Sequence, residues 1–99
     1  MQQPLTQTVQ HDPSRHRFEL AVDGETVFTE YRLTPGVITF LHTLTPPRLR
    51  GRGLAAIVVK AALDYARSEK LQVVPACWYV NEYIDTHPEF QDLRVQRAT

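Results

Sequence analysis

The strongest constraint on the fold is a change in the spacing of apolar residues at Thr45-Pro46-Pro47. Before this point apolar and polar residues alternate, as in half-buried strands, and after it the apolar residues recur with helical spacing. Proline has no N–H group to give to a strand ladder, so the last alternating segment must end here. The sequence therefore predicts an α+β domain whose sheet comes mainly from its first half.

The alternating segments before this break predict an antiparallel meander, with strands over residues 17–22, 26–33 and 37–44 and a further short strand over residues 9–13. Residues typical of tight turns separate the three main segments, at Asp23-Gly24 and Thr34-Pro35-Gly36. Because successive side chains of a strand alternate, the third segment has two predicted faces, one with Ile38, Phe40, His42 and Leu44 and the other with Val37, Thr39, Leu41 and Thr43.

The residues after the break predict a helix, a strand and a second helix, over residues 53–69, 71–77 and 78–86, with His87-Pro88 as the stop. The apolar surface of the first helix is assigned to Leu54, Ile57, Val58, Ala61, Leu63 and Tyr65. A strand, a helix and a returning strand form a right-handed βαβ crossover. We expect one domain over residues 1–99 with its core at residues 9–93, and mobile segments at residues 1–7 and after Leu93.

Charge and composition limit the partners of the chain. Its 11 basic and 11 acidic residues cancel, so no overall field favours nucleic acid or an anionic membrane. The single cysteine excludes an internal disulfide. No apolar run reaches the ~18 residues that a membrane span needs. Residues 1–9 lack the apolar core of a secretory signal. We expect a cytoplasmic protein without a bound metal, because His87-Pro88-Glu89 matches no zinc spacing. His11 and His16 are expected at the surface.

The functional prediction rests on the loop Arg48-Leu49-Arg50-Gly51-Arg52-Gly53-Leu54. Its glycines permit a sharp turn with positive φ and a close approach of the backbone to a ligand. A helix that starts near Gly53 presents unpaired N–H groups and a partial positive charge. The three arginines add charged donors that suit phosphate. Together these features predict a phosphate-bearing ligand.

Three kinds of phosphate-binding loop come close to this pattern. A Walker A loop requires Lys and Ser or Thr around its last glycine, where this chain has Gly53-Leu54-Ala55. The stretch from Gly51 to Ala56 fits the dinucleotide-binding fingerprint, but that motif needs an acidic residue roughly 20 positions later, and residues 71–77 contain none. The third pattern is R/Q-x-x-G-x-G/A, which the residues from Arg48 to Gly53 fit at every position.

This third pattern is the coenzyme A signature of the GNAT acyltransferases, and the chain resembles a small single-domain GNAT-like subfamily. The resemblance covers residues 18–93 and also rests on Ile38-Thr39-Phe40-Leu41-His42-Thr43, Ala62-Leu63-Asp64-Tyr65-Ala66, Val74-Pro75-x-Cys77-x-Tyr79-Val80 and His87-Pro88-Glu89-Phe90. It implies a GNAT-like acyl-CoA N-acyltransferase fold, an antiparallel meander followed by a βαβ unit and a C-terminal helix. It also implies acetyl-CoA as the cofactor.

The resemblance further implies where the cofactor binds. Backbone groups near residues 42–45 would bind the pantetheine arm, and the N–H groups of residues 50–54 would bind the pyrophosphate. A backbone N–H near the splay between the strands at residues 37–44 and 71–77 would polarise the thioester. The implied cofactor-binding residues are Thr43, Leu44, Thr45, Arg48, Arg50, Gly51, Arg52, Gly53, Leu54, Ala55, Asn81 and Tyr83.

Three residues are candidates for catalysis, and each also has a plain structural interpretation. Cys77 could accept the acetyl group as a thiolate, or fill the core as a small apolar residue. His42 could be a general base, or could order the loop through a hydrogen bond. Tyr79 could be a general acid, or could pack with its hydroxyl satisfied. A hydrolase built on His42 and Cys77 would need an oxyanion hole and a substrate cleft, and the sequence shows no sign of either.

We therefore expect an N-acetyltransferase that moves an acetyl group from acetyl-CoA to an unidentified amine. The alternative is a sensor that binds acetyl-CoA without catalysis. GNAT domains wall their acceptor site with additional helices and a further strand pair, for which this chain has no room. The acceptor cleft is therefore expected to be open, or to be completed by a partner protein or a second copy of the chain.

Overall fold

The computed structural model of the chain describes residues 8–95. Its elements are β1 Gln10–Asp12, β2 Arg17–Val22, β3 Glu25–Thr34, β4 Val37–Leu44, α1 Leu54–Ser68, β5 Gln72–Pro75 and α2 Trp78–Asp85, with short 3-10 helices at Pro47–Leu49 and Pro88–Leu93. The element order and the α+β class are as predicted. The predicted mobility of residues 1–7 concerns a segment outside the described residues.

The strands of residues 8–95 form one mixed sheet in the order β1-β2-β3-β4-β5. The first four pair antiparallel. Between β2 and β3, Asp23 and Gly24 have φ values of 52° and 79°, as in a two-residue type I′ hairpin turn. β5 pairs parallel to β4, and α1 supplies the crossover between them. The predicted meander followed by a βαβ unit is therefore confirmed.

One hydrophobic core joins the two helices to one face of the sheet. Helix α1 buries Leu54, Val58, Val59, Ala62, Leu63 and Ala66. These residues recur at three- and four-residue steps and form a single stripe. Ile57 lies beside the stripe and is 39% exposed, so its predicted place on the buried surface of the helix is wrong. Within residues 8–95 no helix has the length and hydropathy that a membrane crossing requires.

Strand β4 contains a bulge that changes which of its side chains face the helices. Glu30 pairs with His42, whereas the next residue of β3, Tyr31, pairs with Phe40, so Leu41 has no partner on β3. Neighbouring residues of β3 point to opposite faces of the sheet. Their partners His42 and Phe40 therefore also lie on opposite faces, and the prediction that they share one is wrong.

The bulge also exchanges the faces of the two residues after His42. Thr43 pairs with Thr29, which is fully buried on the core face, so Thr43 points toward the helices. Leu44 pairs with Phe28 on the outer face. The Arg17 guanidinium covers Phe28 there, with 3.8 Å from its carbon to the ring centre. The predicted faces of Thr43 and Leu44 are therefore wrong for the same reason, the extra residue Leu41.

His11 attaches the edge strand β1 to the rest of the molecule. Its Nε2 lies 2.6 Å from the hydroxyl oxygen of Tyr31, and its ring stacks on Phe18 at a centroid distance of 4.2 Å. Burial lowers the pKa of His11, and the neighbouring Asp12 carboxylate opposes this effect. The prediction of a surface position is therefore wrong for His11, because β1 folds back over the end of α1 at Tyr65.

The segment after Leu93 is held at the edge of the sheet where it is described. The Val95 N–H donates to the Val73 carbonyl at 2.9 Å. The Arg94 guanidinium donates to Asp85 Oδ1 at 2.8 Å. The predicted mobility is therefore wrong for residues 94 and 95, and residues 96–99 lie outside the described part of the chain.

Candidate active site

A cleft opens where the parallel strands β4 and β5 part, and we call it the β4–β5 cleft. Strand pairing ends at Phe40 and Pro75, and the Cys77 N–H then donates to the Phe40 carbonyl at 2.9 Å. The bulge at Leu41 lies at this point, and a bulge bends its strand and increases the local twist. The cleft has a volume of about 500 Å³ and is lined by Leu41, His42, Thr43, Leu44, Thr45, Arg50, Ala55, Ala76, Cys77, Trp78 and Tyr79.

The predicted anion-binding loop borders the β4–β5 cleft. Gly51 and Gly53 have φ values of 81° and 73°, which residues with a Cβ rarely adopt. Gly53 directly precedes α1, whose first turn contains no acidic residue, so nothing there offsets the partial positive charge of the helix start. The Arg50 Nε donates to the Thr45 carbonyl at 3.0 Å and thereby closes the loop at the rim of the cleft. A shallow depression formed by the loop shares Thr45, Arg50, Ala55 and Tyr79 with the cleft.

The other two arginines of the loop contact the β2–β3 hairpin and do not line the cleft. Arg48 Nε lies 2.9 Å from Glu25 Oε2, and an Arg52 terminal nitrogen lies 3.2 Å from Asp23 Oδ2. Exposed ion pairs of this kind contribute little to stability, so a phosphate group competes with them. The motif could not reveal these partners, because the hairpin lies far away in the sequence. Of the three guanidinium groups, the structure brings that of Arg50 to the cleft.

Cys77 lies between the cleft and the core, at 7% exposure. Its Sγ lies 3.6 Å from the Thr43 hydroxyl oxygen. The Thr43 hydroxyl donates to that of Thr29 at 3.0 Å, and Thr29 donates to the His42 carbonyl at 3.3 Å. A line of hydroxyl groups therefore connects the thiol to the bulge. Sequence reasoning missed this line because it exists only if Thr43 faces inward.

His42 lines the β4–β5 cleft from the outer face of the sheet. Its side chain is 58% exposed, and its Nε2 lies 3.0 Å from Glu30 Oε1. The ring meets Phe28 edge-on at a centroid distance of 6.0 Å. The structure thus brings His42 to the cleft together with Cys77, although on the face opposite to the predicted one. From there the imidazole can take a proton from a group that approaches the cleft from the outer face.

Helix α2 brings Tyr79 to the β4–β5 cleft and leaves Tyr83 outside it. Burial raises the pKa of Tyr79, and the neighbouring Glu82 raises it further, so the hydroxyl keeps its proton at neutral pH. Tyr83 stacks on His87 at 3.7 Å. It lines a second cleft of about 360 Å³, the α1–α2 cleft, formed by Ala56, Trp78, Tyr79, Glu82, Tyr83, Thr86 and His87. Tyr79 and Trp78 border both clefts.

Two further findings concern Asn81, which the sequence analysis assigned to the cofactor site, and Trp78, which it did not single out. Asn81 lines neither cleft, because it points to the β5 edge, where its Oδ1 accepts a hydrogen bond from Arg94 at 2.9 Å. Trp78 lines the cleft and is 72% exposed. The only signal for Trp78 was its position next to Cys77. Within residues 8–95 no group of three or more His, Cys, Asp or Glu residues is placed to hold a metal ion.

The chain matches a family model described as GCN5-related N-acetyl-transferase over residues 17–93. It is 33% identical over 84 residues to proteins named NATD1 from Mus musculus and Gallus gallus, covering 81% of this chain and 76% of each relative. A NATD1 protein from Danio rerio is 30% identical over 89 residues, covering 86% of this chain and 80% of that relative. The matched span of the family model runs from β2 to Leu93 and contains the loop and both clefts.

Proposed function

The chain belongs to the GCN5-related N-acetyltransferase family, and from this premise we propose that it binds acetyl-CoA in the β4–β5 cleft and transfers the acetyl group to an amine. The observation that carries the proposal is that the anion-binding loop borders the same cleft that Cys77 and Tyr79 line. We also propose a cytoplasmic location, because a reducing compartment suits the free Cys77 thiol.

The residues at the open side of the cleft fit a ligand that carries amides and phosphates. Beyond Phe40, β4 no longer pairs with β5, so the backbone groups of residues 41–44 that face this side need other partners. The amides of a pantetheine arm supply them, as an added strand would. The start of α1 at Leu54 and the Arg50 guanidinium suit the pyrophosphate.

Bound acetyl-CoA supplies an activated acetyl thioester, and we assign the proton movements to the chain. The Tyr79 hydroxyl keeps its proton at neutral pH because burial raises its pKa, so it can donate this proton to the departing thiolate. His42 can take a proton from the amine on the outer face. The acetyl group then has two routes, directly to the amine or through the Cys77 thiol, which lines the same cleft.

We expect Gly53→Ala to weaken acetyl-CoA binding by about tenfold or more, measured by isothermal titration calorimetry. The substitution forces a Cβ into positive φ at the start of α1, so the N–H groups of the loop must move. The matched control is Gly36→Ala in the β3–β4 turn. Gly36 has a φ of +74°, close to the +73° of Gly53, and a Cβ at either position meets no atom within 4 Å. Equal affinity in the two variants would remove the loop from the binding site.

A second experiment on the intact wild-type protein distinguishes an enzyme from a sensor. Mass spectrometry of the intact protein with acetyl-CoA shows a cofactor-sized adduct under native conditions if the cleft binds it. An acetyl group that survives denaturation and maps to Cys77 identifies the route through the thiol. CoA release that depends on an added amine, without that mark, identifies direct transfer. Binding of acetyl-CoA without release of CoA in the presence of any amine would leave only the sensor function.

A further inference from the structure

The charge around the β4–β5 cleft is unsuited to a positively charged acceptor. Within residues 8–95 no Asp or Glu lines the cleft, whereas Arg50 does, and its guanidinium bonds only to the neutral Thr45 carbonyl in this part of the chain. Helices α1 and α2 both begin at the cleft, and neither has an acidic residue in its first turn. The pyrophosphate of bound acetyl-CoA offsets Arg50 and the start of α1, whereas the start of α2 keeps its partial positive charge. An ammonium group in the cleft therefore meets a positive dipole and no carboxylate.

Two carboxylates lie close to the cleft without lining it, that of Glu30 beside His42 and that of Glu82 beside Tyr79. Glu30 contacts the His42 ring at 3.0 Å from the outer face of the sheet and does not line the cleft. A polyamine or a lysine-rich peptide therefore has no carboxylate partner among the described residues of the cleft, although acidic partners are what such acceptors require.

Two exposed apolar side chains line the cleft that also contains Cys77. Trp78 is 72% exposed and Leu44 is 46% exposed, and both line the cleft. They come from its two walls, Leu44 from the end of β4 and Trp78 from the start of α2. An indole ring offers a flat surface on which another aromatic ring can stack, and such a contact favours planar ligands over saturated ones.

We propose that the acceptor is a weakly basic aromatic amine, whose ring packs between Trp78 and Leu44 and whose amino group points toward the Cys77 end of the cleft. The proposal deepens the proposed acetyl transfer and rests on it. An aromatic amine is uncharged at neutral pH, so its nitrogen carries a free lone pair and the positive surroundings do not repel it. The chemical class of the acceptor follows from the charge and the exposed aromatic surface together.

The reaction balances without a further reactant. The amine nitrogen forms a bond to the acetyl carbon of acetyl-CoA, and the bond between that carbon and the CoA sulfur breaks. One of the two nitrogen protons leaves, and CoA departs with one proton on its sulfur. The products are an aryl acetamide and free CoA. An uncharged amine does not have to lose a proton before it attacks, so a partly exposed imidazole such as His42 suffices as the base.

The test compares aniline with cyclohexylamine, which has a ring of similar size but is saturated and protonated at neutral pH, and with the polycation spermidine. Acetyl-CoA binding is measured first by calorimetry, and CoA release is then followed with a thiol reagent. We expect CoA release with aniline and little with the other two amines. Trp78 is the only tryptophan of the chain, so aniline should also quench its fluorescence in the acetyl-CoA complex, whereas spermidine should not.

Substitution of the tryptophan identifies the binding surface. At saturating acetyl-CoA, we expect Trp78→Ala to raise the KM for aniline about threefold to tenfold, the size of one aromatic contact. Trp78→Phe should restore most of the loss. The control is Leu33→Ala, which removes another exposed apolar side chain, 47% exposed, at the far end of β3.

The outcomes separate the two proposals. Faster reaction with cyclohexylamine or spermidine, or a KM for aniline that Trp78→Ala leaves unchanged, would overturn the aromatic acceptor and leave acetyl transfer in place. Binding of acetyl-CoA with neither aniline turnover nor quenching would also overturn it. Absence of acetyl-CoA binding would instead overturn the proposed function, and the acceptor assignment with it.

Discussion

At the scale of single residues, the site depends on one buried polar side chain. Thr29 is fully buried, accepts a hydrogen bond from Thr43 and donates one to the His42 carbonyl. The Thr29 hydroxyl thereby binds a backbone carbonyl next to the bulged residue Leu41. It also places Thr43 3.6 Å from the Cys77 sulfur. Thr29 thus links the backbone of the bulge, through Thr43, to the Cys77 thiol.

We expect Thr29→Val to lower the free energy of unfolding by about 1–2 kcal/mol, because the near-isosteric change removes a fully buried hydroxyl that bonds to the His42 carbonyl and to Thr43. Urea denaturation measures this difference. Thr26→Val is the matched control on the same strand, since Thr26 is exposed on the outer face. An equal effect of the two substitutions would show that the buried hydroxyl does not stabilise the bulge.

At the scale of elements, the cleft forms because β4 diverges from β5 at the end of their pairing. The two strands stop pairing at Phe40, and Leu41 follows at once as the bulged residue. The bend at the bulge directs the end of β4 away from Cys77 and opens the wedge between the strands. The same residue therefore decides both the faces of His42 and Thr43 and the width of the cleft.

We expect deletion of Leu41 to leave the fold intact, with a change of about 1 kcal/mol in the free energy of unfolding, and to weaken acetyl-CoA binding about tenfold or more. The shortened strand can keep the pairs of Phe40 with Tyr31 and of His42 with Glu30 in a regular ladder, while the wedge closes. Leu41→Ala keeps the bulge and should retain most of the affinity. Calorimetry and urea denaturation measure both quantities, and unaltered affinity after the deletion would contradict this role.

Patterns within one element were sufficient to predict the order of strands and helices and the position of the loop at the start of α1. The faces of β4 could not be predicted in this way. Leu41 is neither a glycine nor a proline, the residues that would mark a bulge. Apolar residues stand on both sides of it in the sequence, so the alternation of the strand shows no interruption there. The partners of Arg48 and Asn81 were equally hidden, because hairpin and C-terminal residues supply them through tertiary packing.

At the scale of the whole molecule, His11 holds four elements together. It lies on β1, stacks on Phe18 of β2, contacts the hydroxyl of Tyr31 on β3 and meets Tyr65 of α1 edge-on. Its pKa is lowered, first by burial, so the folded state binds a proton less readily than the unfolded chain. The neutral form therefore stabilises the fold above the ordinary histidine pKa of about 6.5, and this contribution is lost as the pH falls through the lower folded pKa.

We expect His11→Phe to reduce the loss of stability between about pH 7.5 and about pH 5.5, a window that spans the titration of an ordinary histidine. Phenylalanine keeps the stacking on Phe18 but cannot take up a proton. Urea denaturation at the two pH values gives the change for each protein, and the other histidines contribute equally to both. An identical change in the wild type and the variant would show that His11 does not link protonation to folding.

The sheet order repeats the chain order, and this has a consequence for how the protein is made. During synthesis β2, β3 and β4 each emerge from the ribosome after the strand they pair with, so the meander can assemble while α1 is still being translated. The β4–β5 cleft has no second wall until β5, Cys77 and Tyr79 have followed. A ligand of this cleft can therefore bind only after β5 and α2 have formed, and cannot assist the earlier half of the folding.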